Sequence, residues 1–187
     1  MKSRIKKHSG ALVALTLVLF AGVAIAGGRD FLEQRHVVNA TPYGNDVAGG
    51  EDYVSLKNWA HCTIMMTGTN IGTMTTGAVV TVKQATTVGG AGEKELAFSQ
   101  YYVNTNTFAT DAFTAISVGS SCTNPTLGGT QWILMIDVEA DTLDTANNFD
   151  CMRVDVTGST EQQFGGVYIL SAGRYMGGTP SVSAITD

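Results

Sequence analysis

The sequence predicts an all-β, antiparallel two-sheet sandwich of about eight strands, with the jelly roll among the arrangements it admits, behind an apolar N-terminal leader. Three observations predict it. From Tyr53 onward, short runs rich in Thr, Val and Ile recur, as pleated half-buried surfaces favour. Several runs alternate in period two, the mark of a strand with one buried and one wet face. Clusters of Gly, Asn and Asp separate the runs and suit turns. The 187 residues fit one domain, and 44% of them are hydrophobic, enough to bury a core without cross-links. Only 14% are charged and the net charge is −5. That balance excludes disorder and argues against a nucleic-acid binder held by phosphate contacts.

The elements follow in order. Residues 1–26 carry Lys2, Arg4, Lys6 and Lys7, then an apolar run from Ala11 to Ile25, then Ala24-Ile25-Ala26. A basic start, a short apolar core and an A-x-A exit make a secretory signal peptide, with cleavage after Ala26 as the first reading and an uncleaved signal anchor as the second. Without those four cations, seven basic residues face sixteen acidic ones, a balance of about −9 that repels nucleic acid and anionic membranes. Residues 27–50 read as an arm or linker with turn-rich TPYGNDVAGG. The β domain spans 51–176, with strands near 53–57, 61–67, 78–84, 95–103, 113–118, 131–138, 151–157 and 166–171. In 151–157, Met152, Val154 and Val156 share one face, and Cys151, Arg153, Asp155 and Thr157 the other. Trp132-Ile133-Leu134-Met135 is continuously apolar, which predicts a central strand. Thr67–Asn70 and Val88–Gly92 read as hairpin loops, Gly119–Thr130 as a longer loop, and Ala140–Asn148 as a stretch holding one helical turn. Residues 177–187 form a tail.

Little chemistry is written in these residues. No nucleophile elbow, zinc-protease helix, Walker loop or dinucleotide fingerprint appears, so no catalytic or cofactor-binding residue is assigned and no enzyme is expected. His61 shows no partner for a triad, and with Cys62 next to it in a strand the two point to opposite faces and share no metal. Cys62, Cys122 and Cys151 are odd in number. Cys62 and Cys151 suit the core as thiols, and a Cys62–Cys151 disulfide or a pair with Cys122 are the alternatives. The one metal candidate is a Ca²⁺ site from Asp137, Glu139, Asp141 and Asp144, hard oxygen ligands at a strand end. Their spacing is not that of an EF-hand, and the plainer reading is a solvated edge whose Asp residues cap local backbone N–H groups. Trp59 and Trp132 fall in or beside apolar strands and suit the core. Tyr101, Tyr102 and Tyr175 are the better candidates for an exposed aromatic platform.

One set of segments, taken in order, resembles a known group. It comprises Asp52–Asn58, Cys62–Ile64, Val80–Thr86, Gly92–Phe98, Ile136–Asp144, Phe149–Val156 and Tyr168–Ser171. Together they resemble small virion structural proteins of tailed bacteriophages, over roughly residues 51–175. The resemblance implies a non-enzymatic subunit, of capsid-decoration or cement type, that packs on itself or on a lattice protein. It carries no site residue. The leader departs from that pattern, since phage head proteins assemble in the cytoplasm. The expected location is therefore the virion, or the periplasm or exterior after leader cleavage, with membrane contact only through an uncleaved leader. An exported binding module, adhesin-like or carbohydrate-binding, is the alternative.

Overall fold

The computed structural model describes residues 35–45, 52–70, 79–107, 109–117, 119, 121–123, 131–157 and 162–173, all within the unit Leu32–Asp187. The expected leader (1–26) and tail (177–187) lie outside the described residues. The described chain is mostly antiparallel strand. Six strands form the larger sheet: β1 (Arg35–Asn45), β3 (Trp59–Asn70), β6 (Gln100–Asn104), β7 (Thr114–Ser117), β9 (Gln131–Glu139) and β11 (Gln162–Gly173). Their order across the sheet is β1-β11-β3-β9-β6-β7. The smaller sheet contains β2 (Val54–Ser55), β4 (Val79–Ala85), β5 (Lys94–Glu95), β8 (Ser121–Thr123) and β10 (Cys151–Thr157), in the order β2-β10-β4-β5 with β8 also on β4.

Period-two alternation sets which side of each strand is buried. Trp132, Leu134, Ile136 and Val138 of β9 face inward, as do Cys62, Ile64 and Met66 of β3. Across the core they meet Val80 and Val82 of β4 and Met152, Val154 and Val156 of β10. Each such side chain is worth about 1.5–3 kcal/mol of apolar burial. Tyr168, fully buried on β11, ties the sheets together. Its hydroxyl accepts the Val154 N–H at 2.9 Å and donates to the Asp52 carbonyl at 3.1 Å. Strand β2 pairs β10 only at Cys151 and Met152, and the tyrosine supplies a partner for the amide two residues further on.

Several sequence expectations are corrected. The segment 27–50 is not merely an arm, because Arg35–Asn45 is the edge strand β1, paired with β11 from Arg35 to Asn45. Pro42, Gly44 and Asn45 gave its second half a turn-like composition, and only pairing with a distant strand overrides that local signal. Thr67–Asn70 is not a hairpin loop, since β3 runs through to Asn70. Gly68 is needed there for close approach: it lies opposite Trp132, whose ring occupies the space a Cβ would take. The expected strand 95–103 is two strands in different sheets. Lys94–Glu95 pairs with β4, the chain crosses through buried Leu96 and Phe98, and Gln100–Asn104 joins the larger sheet. A three-residue strand, β8, lies within the expected long loop. Ala140–Asn148 holds two separate 3₁₀ turns, Ala140–Thr142 and Thr145–Asn147. The hairpin loop at Val88–Gly92 is present between β4 and β5, with Gly90 and Gly92 at positive φ.

Candidate assembly surfaces

The four acidic candidates for Ca²⁺ are placed apart in function. Asp137 and Glu139 project from the exposed face of β9. Asp137 Oδ1 accepts a hydrogen bond from Thr63 at 2.8 Å. Asp141 lies exposed on the first 3₁₀ turn. Asp144 pairs with Lys94, whose hydrogen bond holds the carboxyl below its ordinary value, and it also accepts from the Asn147 amide. Its side chain thus serves other side chains rather than capping the turn's backbone N–H groups. Among the described residues, no three His, Cys, Asp or Glu side chains gather as a metal ion would need.

His61 has the partners that the sequence did not show. Its Nδ1 lies 3.0 Å from Ser171 Oγ, and its Nε2 lies 3.4 Å from Asp137 and 3.9 Å from Glu139. Ser171 and His61 are 110 positions apart and meet because β11 and β3 are in register. A serine, a histidine and a carboxylate in a row invite comparison with a nucleophilic triad, but the setting differs. Ser171 stands within a strand paired on both sides, so the surrounding amides belong to ladders rather than to an oxyanion hole. The neighbouring groove, lined by Phe98, Ser99, Thr142, Asp137 and Glu139, includes neither Ser171 nor His61. The row is a cross-strand polar ladder.

Cys62 and Cys151 are both free and buried, in separate clusters. Burial pushes both thiols up, Cys151 to about 12. Trp59 and Trp132 are core residues as expected, and His36 stacks on Trp59. Tyr101 is buried at 7% exposure and cannot serve as a platform, Tyr102 is partly buried, and Tyr175 lies outside the described residues.

The outer faces of the two sheets contrast. On the smaller sheet, Lys83 and Arg153 sit directly opposite each other, a repulsive arrangement that Glu93 and Asp155 bridge. Glu93 lies 2.8 Å from Lys83 and 3.0 Å from Arg153, and Asp155 lies 3.0 Å and 3.2 Å from the same two cations. Tyr53 donates its hydroxyl to Glu93 beneath them. The Lys83 and Tyr53 hydrogen bonds bring the Glu93 carboxyl down to about 2, while burial and the Glu93 bond push Tyr53 up to about 12. This face is closed on itself by charge pairs.

The larger sheet is different. One register row crosses all six strands on its outer face: Asn39, Val167, Met65, Met135, Tyr102 and Ala115. Val37 and Ile169 flank it on one side, and Ile133 on the other. No charged residue stands in the row through Met65. Charge begins two residues away, with Asp137, and then with the row Arg35, Ser171, His61, Glu139. The sequence signal for this face was present. Trp132–Met135 is apolar at every position, which means apolar side chains on both faces as well as an interior position in the sheet. The exposed large hydrophobic residues of the described chain, Val37, Tyr43 and Phe113, lie on β1 and just before β7, the two edges of the same sheet.

No protein-family model matches the chain, and no curated protein matches it. Among solved structures, the chain is similar to the SPBc2 prophage-derived protein YomS, at a TM-score of 0.41 and 10% identity over 73% of this chain and 93% of that one. It is also similar, at a TM-score of 0.22 and 13% identity, to a pentameric capsid protein isolated from metagenomic phage sequences, over 92% of this chain and 94% of that one. These structural neighbours are phage-derived proteins.

Proposed function

We propose that this chain is a non-enzymatic structural subunit of phage-virion type, packing through the outer face of its six-stranded sheet onto a protein lattice. The observation that carries the proposal is the uncharged row through Val167, Met65, Met135 and Tyr102, beside a second sheet whose outer face is saturated with ion pairs. A weakly polar sheet face is suited to burial against another protein, whereas a self-paired charged face is suited to water. The sequence resemblance to virion structural proteins agrees with this, and the polar ladder at His61 lacks the setting of a catalytic site. Removal of the leader after Ala26, followed by assembly outside the cytoplasm, belongs to the same proposal.

The test is fractionation of a producing culture into cells, supernatant and sedimentable particles, with intact-mass measurement of each. The wild-type chain should sediment with particles, beginning at Gly27. Met65→Lys sets a charge at the centre of the row, and it should leave the particles while keeping the wild-type circular dichroism and melting temperature. A wild-type chain that stays in the supernatant, or a variant that sediments equally well, overturns the proposal.

A further inference from the structure

We propose that a second copy of this chain adds to the larger sheet edge to edge, β7 of one copy against the Arg35–Asn39 stretch of β1 in the next, so that copies join head to tail into a closed ring. The inference rests on the reading of the chain as a self-assembling subunit, and names the surface and the partner.

Three observations point to this pairing. The first is direction. Six strands alternate antiparallel from β1 to β7, so the two edges run oppositely. A rotation about an axis along the strands therefore sets β7 beside the next β1 in the antiparallel sense, continuing the ladder already present. The second is apolar exposure at both ends. Val37 on β1 is 43% exposed and Phe113, one residue before β7, is 42% exposed. Val37 lies on the outer face opposite Ile169, and the alternation of β7, with Ile116 packed on the core, carries Phe113 to that same face.

The third is length. β1 pairs regularly with β11 from Arg35 to Asn39, then shifts register at Thr41, and Asp52 N–H bonds to the Ala40 carbonyl at 3.3 Å. The regular stretch of five residues is thus long enough to take the four residues of β7, and the irregularity ends the template beside the start of β7. A two-fold β1–β1 contact would leave Phe113 in water. The head-to-tail contact covers both apolar edges and extends the outer row of each copy onto the next. A contact of this heterologous kind generates a ring when its rotation closes.

Native mass spectrometry and sedimentation velocity on the purified full chain test this, using Val37→Lys and Phe113→Glu. The wild type should be a ring of three or more copies. Each variant should weaken self-association by at least about tenfold and run as a folded monomer. Each variant keeps one intact edge, so mixing the two should restore association, beginning with one-to-one dimers. If Phe113→Glu remains oligomeric while Val37→Lys does not, the contact is a two-fold β1 pair and the inference fails. It fails equally if both variants stay oligomeric, if their mixture stays monomeric, or if the wild type is a monomer. A monomeric wild type that still sediments with particles would overturn the ring alone and leave the lattice-packing reading standing.

Discussion

Replacing Gly68 with alanine is expected to destabilise the fold by about 2–4 kcal/mol. Gly68 and Trp132 are register partners on β3 and β9, and both face the core. A Cβ at position 68 would lie 2.4 Å from Trp132 Cζ2, 2.7 Å from Cε2 and 2.9 Å from the Gln163 carbonyl oxygen. Ordinary contact starts near 3.4 Å, so about 1 Å must be absorbed. The indole is 2% exposed and rigid, and the other obstacle is backbone in a paired strand, so neither yields cheaply. Overpacking usually costs about 1–3 kcal/mol, and a methyl trapped between a ring and a ladder belongs at or above the top of that range. For a folded unit of this size the melting temperature should fall by roughly 4–16 °C.

The assay is urea unfolding followed by far-UV circular dichroism for wild type, Gly68→Ala, Trp132→Leu and the double variant. Trp132→Leu has its own cost, because it opens a cavity. If the indole is the obstacle, the alanine should cost at least about 1.5 kcal/mol less when the Trp132→Leu change is already present. Costs that add to within about 0.5 kcal/mol would refute the close-approach argument, and an unchanged stability for Gly68→Ala would end it at once.

Two further expectations concern stability. Tyr168→Phe strands the Val154 amide at the buried sheet junction. It should cost about 1–3 kcal/mol and speed hydrogen exchange at Val154, so an amide that stays as protected as in the wild type contradicts the tie. Glu93 falls from an ordinary 4.5 to about 2 in the fold. A depressed carboxyl contributes stability above its unfolded value and loses it as pH falls through 4.5 toward 2. The full displacement corresponds to about 3 kcal/mol, of which solvent screening at this half-exposed cluster leaves about 1. Glu93→Gln should flatten that part of the acid limb in pH-dependent urea melts, and an unaltered slope would show that the cluster does not contribute.

The period-two pattern was enough to assign both faces of β10, because a strand with one wet face writes its burial directly into alternate residues. The same pattern hid the sheet switch between Glu95 and Gln100, since apolar residues continue through it while their partners change. At the surface, the polar ladder at His61 was illegible for a related reason. Ser171, His61 and Asp137 belong to three strands far apart in the chain, and no spacing rule joins them. Strand β1 was missed because Pro42, Gly44 and Asn45 read as a turn and only pairing with β11 carries the strand through them.

The sequence by itself determined the β class, the two faces of β10, and the core placement of Trp59 and Trp132. These follow from local alternation and composition, which every residue carries with it. The tertiary structure alone decided the register that aligns Asn39, Val167, Met65, Met135, Tyr102 and Ala115 into one outer row, and the strand order that leaves Val37 and Phe113 at opposite edges. Those depend on which distant segments hydrogen-bond to which, and pairing between strands is set by the summed packing of both faces rather than by any one strand's residues.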